Sequence, residues 1–194
     1  MVRDGRPPSA AGYREAAADL VRQYEEVAFE EVHRQLLGLF PTAPCRVLDV
    51  GAGTGRDAAA LAALGHEVLA VEPTVELRVH TGLDWLDDSL PELGRVTGVF
   101  GLVLLTAVWM HLDGPERRRS MARLAGLLEP GGRMVLTLRH GPVPAGRRMF
   151  DVSAEETVAL ADAHGLGLLH RGSRGDGHGR AGVHWTELVF ARPA

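Results

Sequence analysis

Three glycines and two carboxylates carry most of the chemical information in this chain. Asp49-Val50-Gly51-Ala52-Gly53-Thr54-Gly55 follows an apolar run directly and opens an alanine-rich one. Glycine lets the backbone turn sharply and come close to a ligand. A helix that starts at such a turn offers free N–H groups and a positive dipole end. Glu72 lies about one helix plus one strand further on, where a carboxylate can accept both hydroxyls of a ribose. The dinucleotide fingerprint spaces its glycines G-x-G-x-x-G. Here the third glycine comes one residue early and Arg56 takes the last position. Asp49 would repel a pyrophosphate and suits a ligand bearing an amino group. The set favours an adenosine attached to an amino acid over a dinucleotide.

A second group of residues could act on an acceptor. Trp109-Met110-His111 follows a strongly apolar stretch. His111 is the best base or substrate-orienting candidate, with a structural histidine capping the next helix as the even alternative. Trp109 reads equally as core or as substrate wall. Arg139-His140 and Arg147-Arg148 bracket one loop. Arginine forks match carboxylate or phosphate, and a solvated surface loop is the competing reading. Tyr24, in an N-terminal helix, faces either a ligand carboxylate or the core. Glu30 and His33 are about one turn apart and face either the pocket or, as the favoured reading, the surface. Asp176, His178, Arg180 and His184 fall in or beside a glycine-rich loop without metal-ligand spacing, so no metal site is expected.

The elements that must position these residues alternate. Apolar residues recur at helical spacing from Leu20 to Leu37, giving one or two helices over 9–40 that Pro41 and Pro44 stop. Buried strands are expected at 46–50, 66–71, 83–86, 99–106 and 133–138, with helices at 57–64, 74–80 and 115–128. Ser153 and Glu156 fit a capping box that starts a helix reaching 164. Segments 167–171 and 183–191 read as a terminal antiparallel hairpin. This alternation predicts an α/β fold: a Rossmann-like, seven-stranded, mostly parallel sheet with helices on both faces and an N-terminal helical cap. The expected organisation is a disordered segment 1–8 and one domain, 9–194, divided into a cap at 9–40 and a core at 45–194.

Quoted in order, Val47-Leu48-Asp49-Val50-Gly51-Ala52-Gly53-Thr54-Gly55, His66-Glu67-Val68-Leu69-Ala70-Val71-Glu72 and Leu127-Leu128-Glu129-Pro130-Gly131-Gly132-Arg133-Met134-Val135 resemble the motifs of class I S-adenosylmethionine-dependent methyltransferases. The likeness covers residues 45–138. It is nearest to the small stand-alone bacterial enzymes whose glycine loop continues as Gly55-Arg56-Asp57-Ala58. The resemblance implies S-adenosylmethionine as cofactor and S-adenosylhomocysteine as product. It implies that Asp49 and the loop Gly51, Ala52, Gly53 and Gly55 hold the methionine end. Glu72 would take the ribose and Pro73 would pack near adenine. Either Asp87 or Asp88 would accept the adenine amino group, Thr106 would lie under the reacting methyl, and Tyr24 would touch the methionine carboxylate. The stretch from Pro91 to Gly98 departs from the family, reducing the usual helix there to a turn.

Composition bounds the rest. The chain has 194 residues, 45% hydrophobic and 24% charged, with net charge −4. That balance fits one domain and argues against a general grip on nucleic acid. A single cysteine, Cys45, excludes an intrachain disulfide. The start lacks the apolar region of a signal peptide and no stretch is long enough to span a membrane, so a cytoplasmic protein is expected. The expected activity is methyl transfer to a small-molecule O, N or S nucleophile, an acidic one being favoured by Arg139, His140, Arg147 and Arg148. A non-catalytic S-adenosylmethionine-binding module is the alternative, and a nicotinamide oxidoreductase is less favoured. Oligomeric state stays open between monomer and homodimer.

Overall fold

A computed structural model describes residues 7–194. The expected disorder of 1–8 therefore falls mostly outside the described residues, and Pro8–Ala10 forms a 3₁₀ turn. Seven strands make one sheet: β1 (Arg46–Val50), β2 (Glu67–Val71), β3 (Asp84–Leu86), β4 (Phe100–Leu105), β5 (Leu128–His140), β6 (Gly167–Gly175) and β7 (His184–Ala191), in the order β3-β2-β1-β4-β5-β7-β6. The first five run parallel, and β7 pairs antiparallel with both β5 and β6. The helices are α1 (Ala17–Glu25), α2 (Phe29–Val32), α3 (Arg56–Ala63), α4 (Gly114–Leu127) and α5 (Ala154–Asp162).

The sheet separates two cores, and strand alternation decides which residue enters which. Val47, Leu102, Leu104 and Val135 pack with Ala58 and Leu61 of α3 and with Phe29, Leu36 and Phe40 from the N-terminal region. Their neighbours Leu48, Val103, Leu105, Met134 and Leu136 pack with Met121, Leu124 and Leu127 of α4 and Ala154 and Ala161 of α5. All six residues of β4 are buried, as expected for a central parallel strand covered on both faces. Strand order reverses between β1 and β4. In an open α/β sheet that reversal leaves a crevice beyond the carboxyl ends of the strands.

The departures from expectation have local causes. Residues 74–80 make only a 3₁₀ turn, Val75–Leu77, because the Arg78 side chain turns back onto the Glu72 carbonyl. β5 starts five residues early. Phe100 pairs with Leu128 and Leu102 with Arg133, so the Pro130-Gly131-Gly132 stretch bulges inside the strand rather than preceding it. The full capping box lies at Asp113 and Glu116, which exchange side-chain-to-backbone bonds of 2.8 Å each at the start of α4. At α5 only Ser153 caps, because Glu156 pairs with Arg117 instead. Between β3 and β4 no helix forms, as the prolines and glycines suggested. Arg123 of α4 holds that turn by donating to the carbonyls of Leu93 and Val96 (2.9 and 2.6 Å).

Asp113 also receives Arg148 at 3.0 Å. Asp113→Ala should lower stability by about 1–2 kcal/mol, the usual worth of a helix N-cap. Asp113→Asn keeps the cap acceptor and should lose less. Urea unfolding of the two variants checks the order, and equal losses would place the effect in the Arg148 pair.

Candidate functional site

The crevice is a cavity of about 660 Å³ at the carboxyl ends of β1, β2 and β4, within the range of small-ligand sites. Its floor begins at Asp49, buried in β1 between Ala70 of β2 and Leu104 of β4. The chain then turns: Gly51 and Ala52 both donate their N–H to the Val71 carbonyl, at 2.8 and 2.9 Å. Gly51 has φ +68°, and a Cβ there would stand 2.6 Å from Val108 Cγ2. Only glycine lets the loops after β1 and β4 approach this closely.

Glu72 sits at the tip of β2, 6% exposed. Its carboxylate accepts the N–H of Gly53 at 3.0 Å and of Thr74 at 2.7 Å. Burial pushes its pKa up, and those two N–H bonds and Arg78 pull it partly back. Each oxygen keeps a further lone pair for a ligand. Asp49 is more exposed to the low dielectric in energetic terms: burial, with Asp57 and Glu72 nearby, drives its pKa well up. Its Oδ2 has no hydrogen-bond partner. A buried carboxylate oxygen on a cavity floor without a partner is a ready acceptor for a cationic group.

Beneath the floor, Asp57 in the first turn of α3 gathers three donors. Its Oδ2 meets His33 Nε2 at 2.8 Å and accepts Thr106 Oγ1–H at 2.9 Å, and its Oδ1 accepts Arg56 Nε–H at 2.7 Å. Burial raises the Asp57 pKa, but His33 and Arg56 outweigh it and the carboxyl ends below its ordinary value. Arg56 also donates to the carbonyls of Tyr24 and Val27, which ties α1 to the glycine loop. Thr106 is thus anchored at the end of β4. The next residue, Ala107, has φ +62°, and its N–H is held by Thr137 Oγ1 at 2.9 Å. A left-handed alanine is strained by about 1–3 kcal/mol and persists only when its surroundings fix it.

The far end of the cavity is walled by Tyr13, Tyr24, His111, Arg139, Arg147 and the loop between β6 and β7. His111 is buried between Tyr13 Oη at 2.8 Å from Nε2 and the Arg148 carbonyl at 2.7 Å from Nδ1. Burial lowers its pKa, with Arg147, Arg139 and Arg148 adding to the effect, which favours the neutral ring. The arginines differ in their partners. Arg180 is matched by Asp176 and Arg174 by Glu187. Arg147 stacks on the Tyr13 ring at 3.6 Å, and its Nη1 is buried without a hydrogen-bond acceptor. Arg139 Nε is likewise buried without one, and burial together with Arg180 disfavours its charge.

Most of the residues singled out in the sequence line this cavity: Asp49, Gly51, Ala52, Gly53, Glu72, Pro73, Asp88, Thr106, Tyr24, His111, Arg139 and Arg147. Five lie outside that lining. Trp109 is fully buried in the core beside α4, with its indole N–H unpartnered, so it is no substrate wall. Gly55 faces β3: a Cβ on it would press on Leu83 and Trp85 at 2.8 Å, so it serves packing. Asp87 points to solvent near Arg78, at 3.7 Å, whereas Asp88 lines the cavity and accepts the N–H groups of Ser89 and Arg95. His140 stacks on His184 and bonds Thr186 Oγ1, outside the cavity. Arg148 is absorbed by Asp113 and Glu116. His33, read as a surface residue, is completely buried on Asp57. Sequence reasoning missed Tyr13 altogether. It lies 98 positions from His111, in a segment without helical or strand periodicity, and no local signal marks it. The β6–β7 loop, read as a glycine-rich hairpin loop, brings Asp176, His178 and Arg180 to the cavity. Among the described residues no group of three or more His, Cys, Asp or Glu could hold a metal ion, and no helix is long and apolar enough to cross a membrane.

A glycine turn at the switch point, an acid at the tip of β2 and a buried carboxylate with one unpartnered oxygen below them define a nucleoside-binding α/β protein. Residues 20–168 match the methyltransferase-domain family, and the chain belongs to it. It is 34% identical over 108 residues to an uncharacterised methyltransferase of Mycobacterium tuberculosis, covering 50% of this chain and 41% of that protein. It is 35% identical over 132 residues to the demethylmenaquinone methyltransferase of Clavibacter sepedonicus, covering 58% and 49%. The matched segments thus span less than half of either relative. Among solved structures, the Burkholderia thailandensis 1,6-didemethyltoxoflavin-N1-methyltransferase, crystallised with its substrate and S-adenosylhomocysteine, superposes with TM-score 0.67 at 20% identity over 100% of this chain and 94% of its own. A TehB-like S-adenosylmethionine-dependent methyltransferase of Corynebacterium glutamicum gives TM-score 0.70 at 18% identity, covering 92% and 98%. These likenesses establish the Rossmann-like methyltransferase fold.

The Asp57 cluster should be worth testing first for its effect on folding. Asp57→Asn leaves Arg56 without its buried counter-charge and should destabilise by about 3–5 kcal/mol. A carboxyl held below its unfolded pKa contributes stability that is complete above the unfolded value and is lost as pH falls below it. The gap between wild type and variant in urea unfolding should therefore narrow below about pH 4. A constant gap would deny the carboxylate its charged role.

Proposed function

We propose that this chain transfers a methyl group from S-adenosylmethionine to a small-molecule acceptor, and that the acceptor is anionic. The observation that carries the first half is the pairing of Glu72, fixed by the Gly53 and Thr74 N–H groups with lone pairs to spare, with the partner-free Asp49 Oδ2. These residues fit the cofactor. Glu72 would accept its ribose hydroxyls and Asp49 would face its ammonium. The backbone of Gly51, Ala52 and Gly53 would border the methionine end, with Tyr24 above it. Pro73 and Asp88 would flank adenine, and Thr106 and Ala107 would border the reacting group. When bound, S-adenosylmethionine supplies a methyl group already activated by its sulfonium. The protein's own task is then to align the acceptor and exclude water.

The anionic acceptor is supported by Arg139 and Arg147. Both line the cavity, both keep a buried N–H without an acceptor, and neither has a carboxylate paired with it among the described residues. A carboxylate or phosphate on the acceptor would complete those bonds and offset the burial that disfavours the charge at Arg139.

Calorimetric titration with S-adenosylhomocysteine tests the cofactor half. Binding is expected with no comparable affinity for NAD or NADP. Glu72→Ala should weaken it by about 10- to 100-fold, the worth of hydrogen bonds to a charged group. Because Glu72 and Asp49 hold their protons to higher pH than ordinary carboxyls, binding to the ionised forms releases protons, and affinity falls as pH drops through that raised range. Affinity unchanged in Glu72→Ala, or rising on acidification, would overturn the assignment. A screen with methyl-labelled cofactor against small carboxylic and phosphorylated phenols, alcohols and amines tests the acceptor half. Tight cofactor binding without turnover on any of them would favour a non-catalytic binding module.

A further inference from the structure

We infer that Tyr13 is the group that takes the proton from the acceptor, and that it does so by passing its own proton to His111. The inference rests on the methyl-transfer reading and adds to it a residue and a direction of proton movement.

The direction follows from the hydrogen bonds. The Arg148 carbonyl, 2.7 Å from His111 Nδ1, can only accept. In a neutral ring Nδ1 therefore carries the hydrogen and Nε2 is bare. Nε2 lies 2.8 Å from Tyr13 Oη, so the Tyr13 hydroxyl donates to it. The imidazole nitrogen that could act as a base is thus covered, and the atom it offers to the cavity is Tyr13 Oη, which also shares a hydrogen bond with Tyr24 and keeps one lone pair free. Negative charge on Tyr13 is disfavoured. Its pKa is driven well above the usual phenol value by burial and by Tyr24 and Glu72, against the pull of Arg147. The phenol therefore relays. As the acceptor's X–H proton moves to Tyr13 Oη, the Tyr13 proton moves to His111 Nε2. The electron pair of the broken X–H bond stays on the acceptor atom as its nucleophilic lone pair, and the gained proton ends as imidazolium, stabilised by the Arg148 carbonyl. His111 later returns the proton to solvent.

The surroundings hold this pair in place. Arg147 lies flat on the Tyr13 ring at 3.6 Å, and the Tyr13 and His111 rings meet edge-on at 5.5 Å. A Cβ on Gly12 would stand 2.6 Å from the Gly146 carbonyl oxygen, so the two segments that carry Tyr13 and Arg147 touch directly. The charged groups facing His111 are Arg147 and Arg148 from the loop after β5 and Arg139 from β5 itself; Asp113 and Glu116 of α4 reach it only through Arg148. The three arginines oppose a positive ring, so His111 is kept ready to accept a proton. An anion between Arg139 and Arg147 would ease that opposition as the acceptor binds. Tyr13 is then the catalytic residue, and His111 acts through it as a positioning residue and proton store.

The test uses the full chain as wild type, Tyr13→Phe, His111→Asn and the double variant. S-adenosylhomocysteine affinity should stay within about twofold in all four, which separates this proposal from the cofactor assignment. Nitrogen NMR of labelled histidine should find His111 protonated on Nδ1 and bare at Nε2. Its titration midpoint should lie below the usual 6.5 and move up in Tyr13→Phe, because the lost donor favoured the neutral ring. With the acceptors that turn over in the methyl-label screen, kcat should fall about 10²- to 10⁴-fold in either single variant. The double variant should be no worse than the singles, and the acid limb of the pH profile should vanish in His111→Asn. A His111 protonated at Nε2, a midpoint unmoved by Tyr13→Phe, or unchanged turnover in Tyr13→Phe would overturn the relay. Wild-type protein that binds S-adenosylhomocysteine but methylates nothing would remove the methyl-transfer reading, and the relay with it.

Discussion

The hydrogen bond from the Gly53 N–H to the Glu72 carboxylate, 3.0 Å long, joins two segments that must each be right for the site to exist. On one side it requires the left-handed glycine turn after β1. On the other it requires an acid at the tip of β2, held by Thr74 and backed by Arg78. Gly51 and Ala52 complete the junction by bonding the Val71 carbonyl. The parallel pairing of β1 with β2 sets this register, from Arg46 opposite Glu67 to Val50 opposite Val71. The glycine loop and the acid therefore arrive together at one edge of the crevice.

Stability is spent around this junction in places that a pure scaffold would avoid. Asp49 and Glu72 are carboxylates in a low-dielectric cleft whose pKa values burial raises, and Asp49 Oδ2 has no partner. Ala107 is held in a left-handed conformation by Thr137. Arg139 and Arg147 each bury an unsatisfied N–H. Such groups destabilise a fold unless a ligand completes them. All of these line one cavity, while among the described residues a few other unpartnered groups, such as Trp109 Nε1 and Ser120 Oγ, lie elsewhere. The Asp57 cluster is the counterweight: a fully matched buried charge that fixes Thr106, α1 and the glycine loop to one another.

How much was legible in the sequence depended on distance along the chain. The unit from β1 through the glycine loop and α3 to Glu72 is contiguous, and its strand-turn-helix-strand pattern needs no long-range contact to be read. The mostly parallel sheet with its terminal hairpin followed from the alternation. Short-range chemistry also misled. Trp109 and His111 are two residues apart, yet one enters the core and the other the cavity, because the 3₁₀ turn between Val108 and Leu112 points them to different sides. Arg148 and Arg147 are adjacent, and only the capping carboxylates Asp113 and Glu116, far off in sequence, decide that Arg148 is absorbed while Arg147 faces the cavity. Tyr13 and His33 were invisible for the same reason. Their partners His111 and Asp57 are 98 and 24 positions away, so no local pattern shows what they touch.

The central claim is that the junction at Gly53 and Glu72 is built around the adenosine of S-adenosylmethionine, with Asp49 below its amino-acid end. A crystal structure of the complex with S-adenosylhomocysteine is the most direct measurement. The account requires both ribose hydroxyls on the Glu72 carboxylate and the ligand's amino group nearest Asp49, with the Gly53–Glu72 bond intact. A ligand seated elsewhere, or bound there with its sugar away from Glu72, would contradict it.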